Sequence, residues 1–433
     1  MEPSKLLKHN VQVKFCQYTK QLTEKLSVKE KKFVRELTKG ILQSRSCIIR
    51  KIAQSHDEKI GLEDTCKRYR RHLSKDSLNL ELSEQHLLMR NKGMTDDSLI
   101  IFDPSDIRKN YAEKMEGLSR IHDGSTNTQC KGYNVLDSVR VESNGNQISI
   151  VPLLSELHTN DENPGIMKQA FFDRINDIQV FSGNKGIFVM DRGYDDRKVF
   201  SYLSENECPY IIRAKTKRHL FYQGEEMSFI EATKRAKLKY KYQTGKSVIK
   251  AGIIKVGIRK DSTPKKCPEI TDVNLVVARF IVKDKMGKDC EKGYFYLYCN
   301  FPPNMVNASS EQMIQKALKA YRIRWKIEEV HRHIKVDYRW EDMQLMTLTR
   351  LQNLNTLLLI AIGFMYSLDK YRLEFACFYA NLMLDRKNKL NDLKHFIYYR
   401  LALVAATIFR EFKLYPKTPY AGVNTKKMQL TWF

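Results

Sequence analysis

Two short runs of apolar residues, Leu99-Ile100-Ile101-Phe102 and Ile187-Phe188-Val189-Met190, each stop at an aspartate, Asp103 and Asp191. Unbroken apolar runs of this length predict strands buried on both faces. Between them, 133–141 and 147–154 alternate apolar with polar positions around Ser143-Asn144-Gly145-Asn146, which predicts a hairpin. Residues 164–177 have helical spacing, and Tyr210-Ile211-Ile212-Arg213 predicts a further strand. Upstream of these, 11–75 divides into short helices: one near 28–40, one around 41–49 and one ending at Arg68-Tyr69-Arg70-Arg71-His72.

Further along, Ser309 and Gln312 stand at capping-box spacing, predicting one helix from there through Lys335. On a wheel of roughly 100° per residue, Ile323, Ile327, Val330 and Ile334 form an apolar back, while Tyr321, Arg324, Glu328 and Lys335 share one narrow polar front. Connections inside a compact domain usually run to about six residues at most, so the stretch from Arg213 to Ser309 predicts an inserted domain. It supplies its own strands at 248–259, 273–282 and 294–301.

Composition adds a partner. The chain of 433 residues has room for two or three domains, and 42% hydrophobic content marks it as globular. Its net charge is +25, from 75 Lys and Arg against 50 Asp and Glu. Residues 1–75 hold 19 basic and 8 acidic side chains, a net of +11, and 213–266 hold 16 and 4, a net of +12. Charge concentrated in this way predicts a steeply salt-dependent grip on nucleic acid, with small basic helices at the N-terminus suited to a major groove. Nine cysteines include no Cys-x-x-Cys pair, which argues against a zinc ribbon or redox dithiol and for reduced packing residues. The longest greasy run, 357–366, is too short to span a bilayer, so no membrane partner and a cytoplasmic setting are expected.

Asp103, Asp191 and Glu328 then form a set of three carboxylates, hard oxygen donors of the kind that suit Mg²⁺ or Mn²⁺. Two such ions about 4 Å apart can activate a water and steady the leaving oxygen of a phosphodiester. Arg324 and Lys335 are placed to grip the flanking phosphates and Tyr321 to bond a phosphate or pack on a sugar, although a polar helix front can also be no more than a solvated face. Glu328-x-x-His331 has di-iron spacing but lacks the second copy such a site needs. Trp325 is expected to pack against the sheet, Glu329 to be solvated, and Asp195 and Asp196 to cap a helix at the surface. Tyr294, Tyr296 and Tyr298 share one strand face, expected to be core.

The spacing Tyr321-x2-Arg324-x3-Glu328-x6-Lys335 resembles the Y-R-E-K signature of bacterial insertion-sequence transposases of the cut-and-paste DDE type, and Asp191-Arg192-Gly193-Tyr194 resembles their D-R-G-Y/F element. The resemblance implies an α/β fold with a ribonuclease H-like mixed sheet flanked by helices. It implies Asp103, Asp191 and Glu328 as catalytic metal ligands, and Tyr321, Arg324, Lys335, Arg192 and Tyr194 as DNA contacts. Asp106 competes with Asp103 for the first aspartate. The implied layout is a helical DNA-binding region over 1–78, catalytic core over 79–215 and 302–375, a basic β-rich insertion over 216–301, and a helical C-terminal region over 376–433 with a possible dimerising role. It also implies two Mg²⁺ ions per site with Mn²⁺ as substitute, inverted-repeat ends and target DNA as substrates, a homodimer pairing two ends, hairpin ends, and a nucleoid-associated bacterial protein. A ribonuclease H-like nuclease without strand transfer, or an inactive DNA-binding regulator, are the alternatives.

Overall fold

The computed structural model describes residues 3–56, 60–123, 128–145, 147–159, 166–244, 247–261, 263–264, 268–283, 289–383, 397–412 and 414. Five helices come first: α1 (Pro3–Leu22), α2 (Val28–Ser44), α3 (Ile49–Gln54), α4 (Leu62–Leu73) and α5 (Leu78–Asn91). Helix α2 starts where Ser27 and Glu30 cap each other reciprocally, satisfying backbone donors the first turn leaves unpaired. Next come β1 (Leu99–Arg108), β2 (Ser119–Asp123), β3 (Thr128–Asn144), β4 (Gln147–His158), α6 (Ile166–Ser182), β5 (Ile187–Met190), α7 (Arg197–Glu205) and β6 (Tyr210–Arg213). Strands β3 and β4 form the expected hairpin, with Asn144 opposite Gln147; Asn146 of its turn lies outside the described residues. β3 is antiparallel to β1, and β1, β5 and β6 run parallel.

This central sheet is covered on both faces. Ile101, Val189 and Ile211 point into one hydrophobic cluster, while Ile100, Phe102, Phe188, Met190, Tyr210 and Ile212 point into another. Side chains alternate across a strand, so burial on both faces is why these strands read as continuous apolar runs. Helices α6 and α7 cover the second face through Phe171, Ile175, Ile178, Val199, Phe200 and Leu203. The mixed sheet between helical layers agrees with the ribonuclease H-like expectation.

The insertion is β-rich as expected: β7 (His219–Tyr222), β8 (Glu225–Ser228), α8 (Phe229–Lys234), β9 (Tyr240–Thr244), β10 (Ser247–Arg259), β11 (Ile270–Lys283) and β12 (Asp289–Asn300). Its sheet is continuous with the central one, because β12 pairs antiparallel with β6 from Leu297 opposite Arg213 to Asn300 opposite Tyr210. Five helices follow: α9 (Ser310–Ile323), α10 (Lys326–Asp337), α11 (Leu348–Ser367), α12 (Arg372–Met383) and α13 (Ile397–Glu411). The N-terminal helices share a hydrophobic cluster with these later ones; the Phe15 ring of α1 meets Phe364 of α11 at 5.2 Å and Phe409 of α13 at 5.0 Å. Among the described residues no single helix is long and apolar enough to cross a membrane, and α11 is largely buried in this core. Within the C-terminal region, 384–396 and 415–433 lie outside the described residues.

Two expectations are corrected. Strand β1 does not end at Asp103 but runs on to Arg108; β5 stops first, and Pro104, which cannot donate a ladder hydrogen bond, falls where β1 has lost its parallel neighbour. The helix expected from 309 through 335 is two helices. The Ser309–Gln312 capping box is present, but the helix breaks at Arg324 and Trp325, where Arg324 N–H bonds Tyr321 O and Ile327 N–H bonds Arg324 O, three residues back in each case.

Candidate active site

The parallel register of β1 and β5 pairs Leu99 with Ile187 and Ile101 with Val189, so two residues further on it brings Asp103 level with Asp191. Ligand sites of open α/β sheets form at such carboxyl ends. Asp191 caps the short helical turn Arg192–Tyr194, its Oδ1 accepting from Gly193 N–H at 2.7 Å. A Cβ at Gly193 would stand 2.8 Å from that oxygen, so the glycine of the Asp-Arg-Gly-Tyr stretch leaves the carboxylate its room.

Helix α10 brings the third carboxylate, Glu328, in its first turn. Asp103 registers the assembly. Burial pushes its carboxyl up to about 6, and the charges of Asp191 and Glu328 push the same way, against His331 and Arg324. Three acids from β1, the end of β5 and α10 therefore share one electrostatic field. Asp106, the rival first aspartate, is instead 3.6 Å from Lys335, which also lies 3.6 Å from Glu341.

The break between α9 and α10 divides the Tyr321, Arg324, Glu328 and Lys335 set: Tyr321 lies in α9, Arg324 at the break, and Glu328 and Lys335 in α10. Tyr321 is buried, edge-on to Phe295 of β12 at 4.9 Å. Arg324 is only 8% exposed, with Nη1 3.4 Å from Asp103 Oδ2 and Nη2 2.7 Å from Glu328 Oε1. Trp325, expected to pack against the sheet, is instead 60% exposed at the break. Tyr194 is half-buried against Phe171, ring centroids 4.7 Å apart; burial, then the charges of Asp103, Asp191 and Asp137, hold its phenol well above the ordinary range.

A cleft of about 610 Å³ opens beside Asp191, lined among others by Arg192, Arg213, Lys215, Lys217 and Tyr294. Of the three tyrosines on that strand face, Tyr298 is fully buried, Tyr296 is partly buried and Tyr294 protrudes, 47% exposed. The Tyr294 ring stacks nearly parallel on Tyr296, 6.1 Å between centroids, with the Arg279 guanidinium 6.0 Å from it.

Sequence reasoning missed three residues. Asp137 of β3 stands opposite Asp103 and is buried, and His331, one turn along α10 from Glu328, brings Nε2 within 3.0 Å of its Oδ2. Burial opposes a charge on His331, yet the Asp137 carboxylate raises its proton affinity above the ordinary value. Asp195, expected at the surface, is buried, accepting from Lys215 N–H at 2.6 Å and Arg218 Nε at 3.0 Å, so it ties the Arg192–Tyr194 turn to the root of the insertion. Asp196 does cap α7, accepting from Lys198 N–H at 2.9 Å.

Among the described residues no three His, Cys, Asp or Glu side chains converge closely enough to hold a metal ion as they stand. The donor chemistry nevertheless fits a hard divalent cation, since mutual repulsion among three carboxylates is what such an ion relieves. The raised Asp103 carboxyl, pushed up first by burial and then by its acidic neighbours, has a measurable consequence. In the unfolded chain Asp103 ionises in the ordinary carboxylate range and in the folded chain near 6, so the native state holds this proton more tightly and loses stability as pH rises through that window. Asp103→Asn should accordingly stabilise the metal-free protein at pH 8 by up to about 3 kcal/mol, with the gain vanishing below about pH 4. Urea unfolding at the two pH values checks this; a variant no more stable than wild type at pH 8 refutes the cost of holding the Asp103 carboxylate charged in this buried site.

Residues 95–364, more than half of the chain, match the family model of the transposase DDE domain. No curated protein matches the chain.

Proposed function

From the premise that the chain belongs to the transposase DDE domain family, whose members act on DNA and generally use divalent metal ions, we propose that it is an insertion-sequence transposase of the cut-and-paste group. In this reading it binds the terminal inverted repeats of its element, pairs two ends as a homodimer, cuts them free and joins them to target DNA on the bacterial nucleoid. The observation that carries the proposal is the placement of the three acids: the β1–β5 register sets Asp103 level with Asp191, and the Arg324 guanidinium reaches both Asp103 and Glu328. These three would hold two Mg²⁺ ions, with Mn²⁺ as substitute. When bound, the ions supply activation of the attacking oxygen and stabilisation of the leaving one.

The chain's own side chains do the rest. Arg192, Lys215 and Lys217 give the cleft beside Asp191 a positive lining for the phosphates of a DNA end, and Lys335 of α10, beside Asp106, is a further cation for the backbone. Tyr294 offers an exposed ring on which an unstacked base can lie. Lys67, Arg70 and Arg71 are exposed on α4 and Lys237, Lys239, Lys241 and Lys250 on the insertion, which suits both basic regions to backbone contacts away from the site.

Incubating the protein with Mg²⁺, a labelled duplex carrying the inverted repeat that flanks its gene, and a supercoiled plasmid tests the reading. Joined products with the element's 3′ end linked to plasmid are expected. Cleavage that never yields a joint indicates a nuclease, and binding without cleavage in Mg²⁺ or Mn²⁺ indicates a DNA-binding regulator; either outcome refutes the proposal.

A further inference from the structure

Arg324 lies between two of the three acids proposed to hold the metal. Its guanidinium reaches Asp103 with one nitrogen and Glu328 with the other, at 3.4 and 2.7 Å. It is nearly enclosed, and the rings of Tyr321 and Trp325 stand 5.7 and 5.5 Å from it, a setting in which a planar cation is favoured. A guanidinium carries its charge at every accessible pH, so Asp103 and Glu328 already have a shared counterion. A divalent cation entering between these carboxylates competes for the same oxygens.

A bound phosphodiester would supply Arg324 with a second station. The cationic cleft begins at Asp191, the remaining acid of the set, and a phosphodiester drawn in by Arg192, Lys215 and Lys217 presents to a guanidinium the same two-pronged acceptor geometry as a carboxylate. Trp325, at the helix break, leaves one side of the guanidinium facing an exposed ring and not packed core, so its movement opens no cavity in the hydrophobic cluster.

We infer that Arg324 is a placeholder for the metal: in the DNA-free chain its guanidinium bridges Asp103 and Glu328 and holds the divalent ion off, and a bound DNA phosphate draws it away. The inference rests on the assignment of Asp103 and Glu328 as cation donors made above. By linkage, whatever DNA does for cation affinity, the cation does for DNA affinity. The device confines a hydrolytically competent centre to the DNA-bound protein.

Titrating full-length, DNA-free protein with MnCl₂ at pH 8, followed by calorimetry, tests it without reference to activity. Arg324→Gln should bind Mn²⁺ about tenfold more tightly than wild type, since a competing cation is gone. Arg324→Lys, which keeps the charge but cannot span both acids, should gain less than Arg324→Gln but still measurably. With Ca²⁺ as the titrant, adding a duplex of the flanking inverted repeat should tighten binding to wild type and leave Arg324→Gln little changed. Thermal melts establish that each variant is folded; if Arg324→Gln is not, Arg324→Lys decides. Cation affinity equal to or weaker than wild type in a folded variant overturns the inference. Glu328→Gln separates the two levels of failure: if it binds Mn²⁺ as wild type does, the assignment of the acids itself is wrong, whereas if it loses Mn²⁺ while the Arg324 variants gain nothing, only the placeholder falls.

Discussion

Asp191→Ala and Glu328→Ala are each expected to bind the element's end with near wild-type affinity and to leave it uncut, cleavage falling by more than about a thousandfold. Neither side chain belongs to the cationic lining that attracts phosphate, so loss of charge at these positions does not weaken the electrostatic part of binding. Both are acids of the shared field about Asp103, and an incomplete ligand set removes several kcal/mol of transition-state stabilisation, the scale that a thousandfold represents. Asp103→Ala should behave in the same way. Asp106→Ala is the informative control: its side chain lies 3.6 Å from Lys335, outside the shared field, and its loss should keep cleavage within about tenfold of wild type. Gel-shift and nicking assays on the same preparations read binding and chemistry separately. Cleavage within tenfold of wild type by Asp191→Ala or Glu328→Ala would dismiss the triad, and full loss with Asp106→Ala would move its first member.

The second large effect concerns the other DNA strand. One set of three carboxylates makes one centre per chain, while release of an element needs both strands cut at each end. A single centre can do this if the 3′-OH freed by the first nick attacks the phosphodiester opposite, expelling the flanking strand's 3′ oxygen and closing a hairpin that water then opens. Bringing that phosphodiester into reach requires an end distorted by a few kcal/mol, with a base drawn out of the stack. Tyr294 is the aromatic that protrudes beside Asp191, backed by Tyr296, and a stacked base is worth about 1–3 kcal/mol. Tyr294→Ala on a pre-nicked end is therefore expected to abolish the hairpin seen on denaturing gels, with first-strand nicking retained and Tyr294→Trp restoring it. Double-strand breaks accumulating in wild type with no hairpin at any time would end this mechanism, whatever the fate of the triad.

Much of the centre was legible because its chemistry follows local rules. Apolar runs stopping at Asp103 and Asp191 announced where β1 and β5 bring their carboxylates level, and the Ser309–Gln312 cap marked the start of the helical segment that leads to Glu328. Asp137 and His331 were not legible, since they meet only through the register of β3 against β1 and the seating of α10 on both. In the sequence His331 offers only the second half of a di-iron spacing with Glu328. The helix break was hidden for a related reason: nothing in Tyr-Arg-Ile-Arg-Trp-Lys disfavours a helix, and the ion pairs of Arg324 at that point come from a strand distant in sequence as well as from the first turn of the next helix. Asp195 read as a surface cap because its partners, Lys215 and Arg218, lie beyond an intervening helix and strand.

The hydrogen-bonded seam between β12 and β6 decides what kind of machine surrounds the centre. Arg213 and Leu297, paired across it, put the strand that bears Tyr294 into the same sheet as the strand that ends at Asp191, so swinging that wall over DNA like a lid would mean breaking the ladder between them. On the proposed function, the bending then falls to the nucleic acid. The sequence of the last few base pairs, through how readily they unstack, would set the pace of excision as much as any protein contact does.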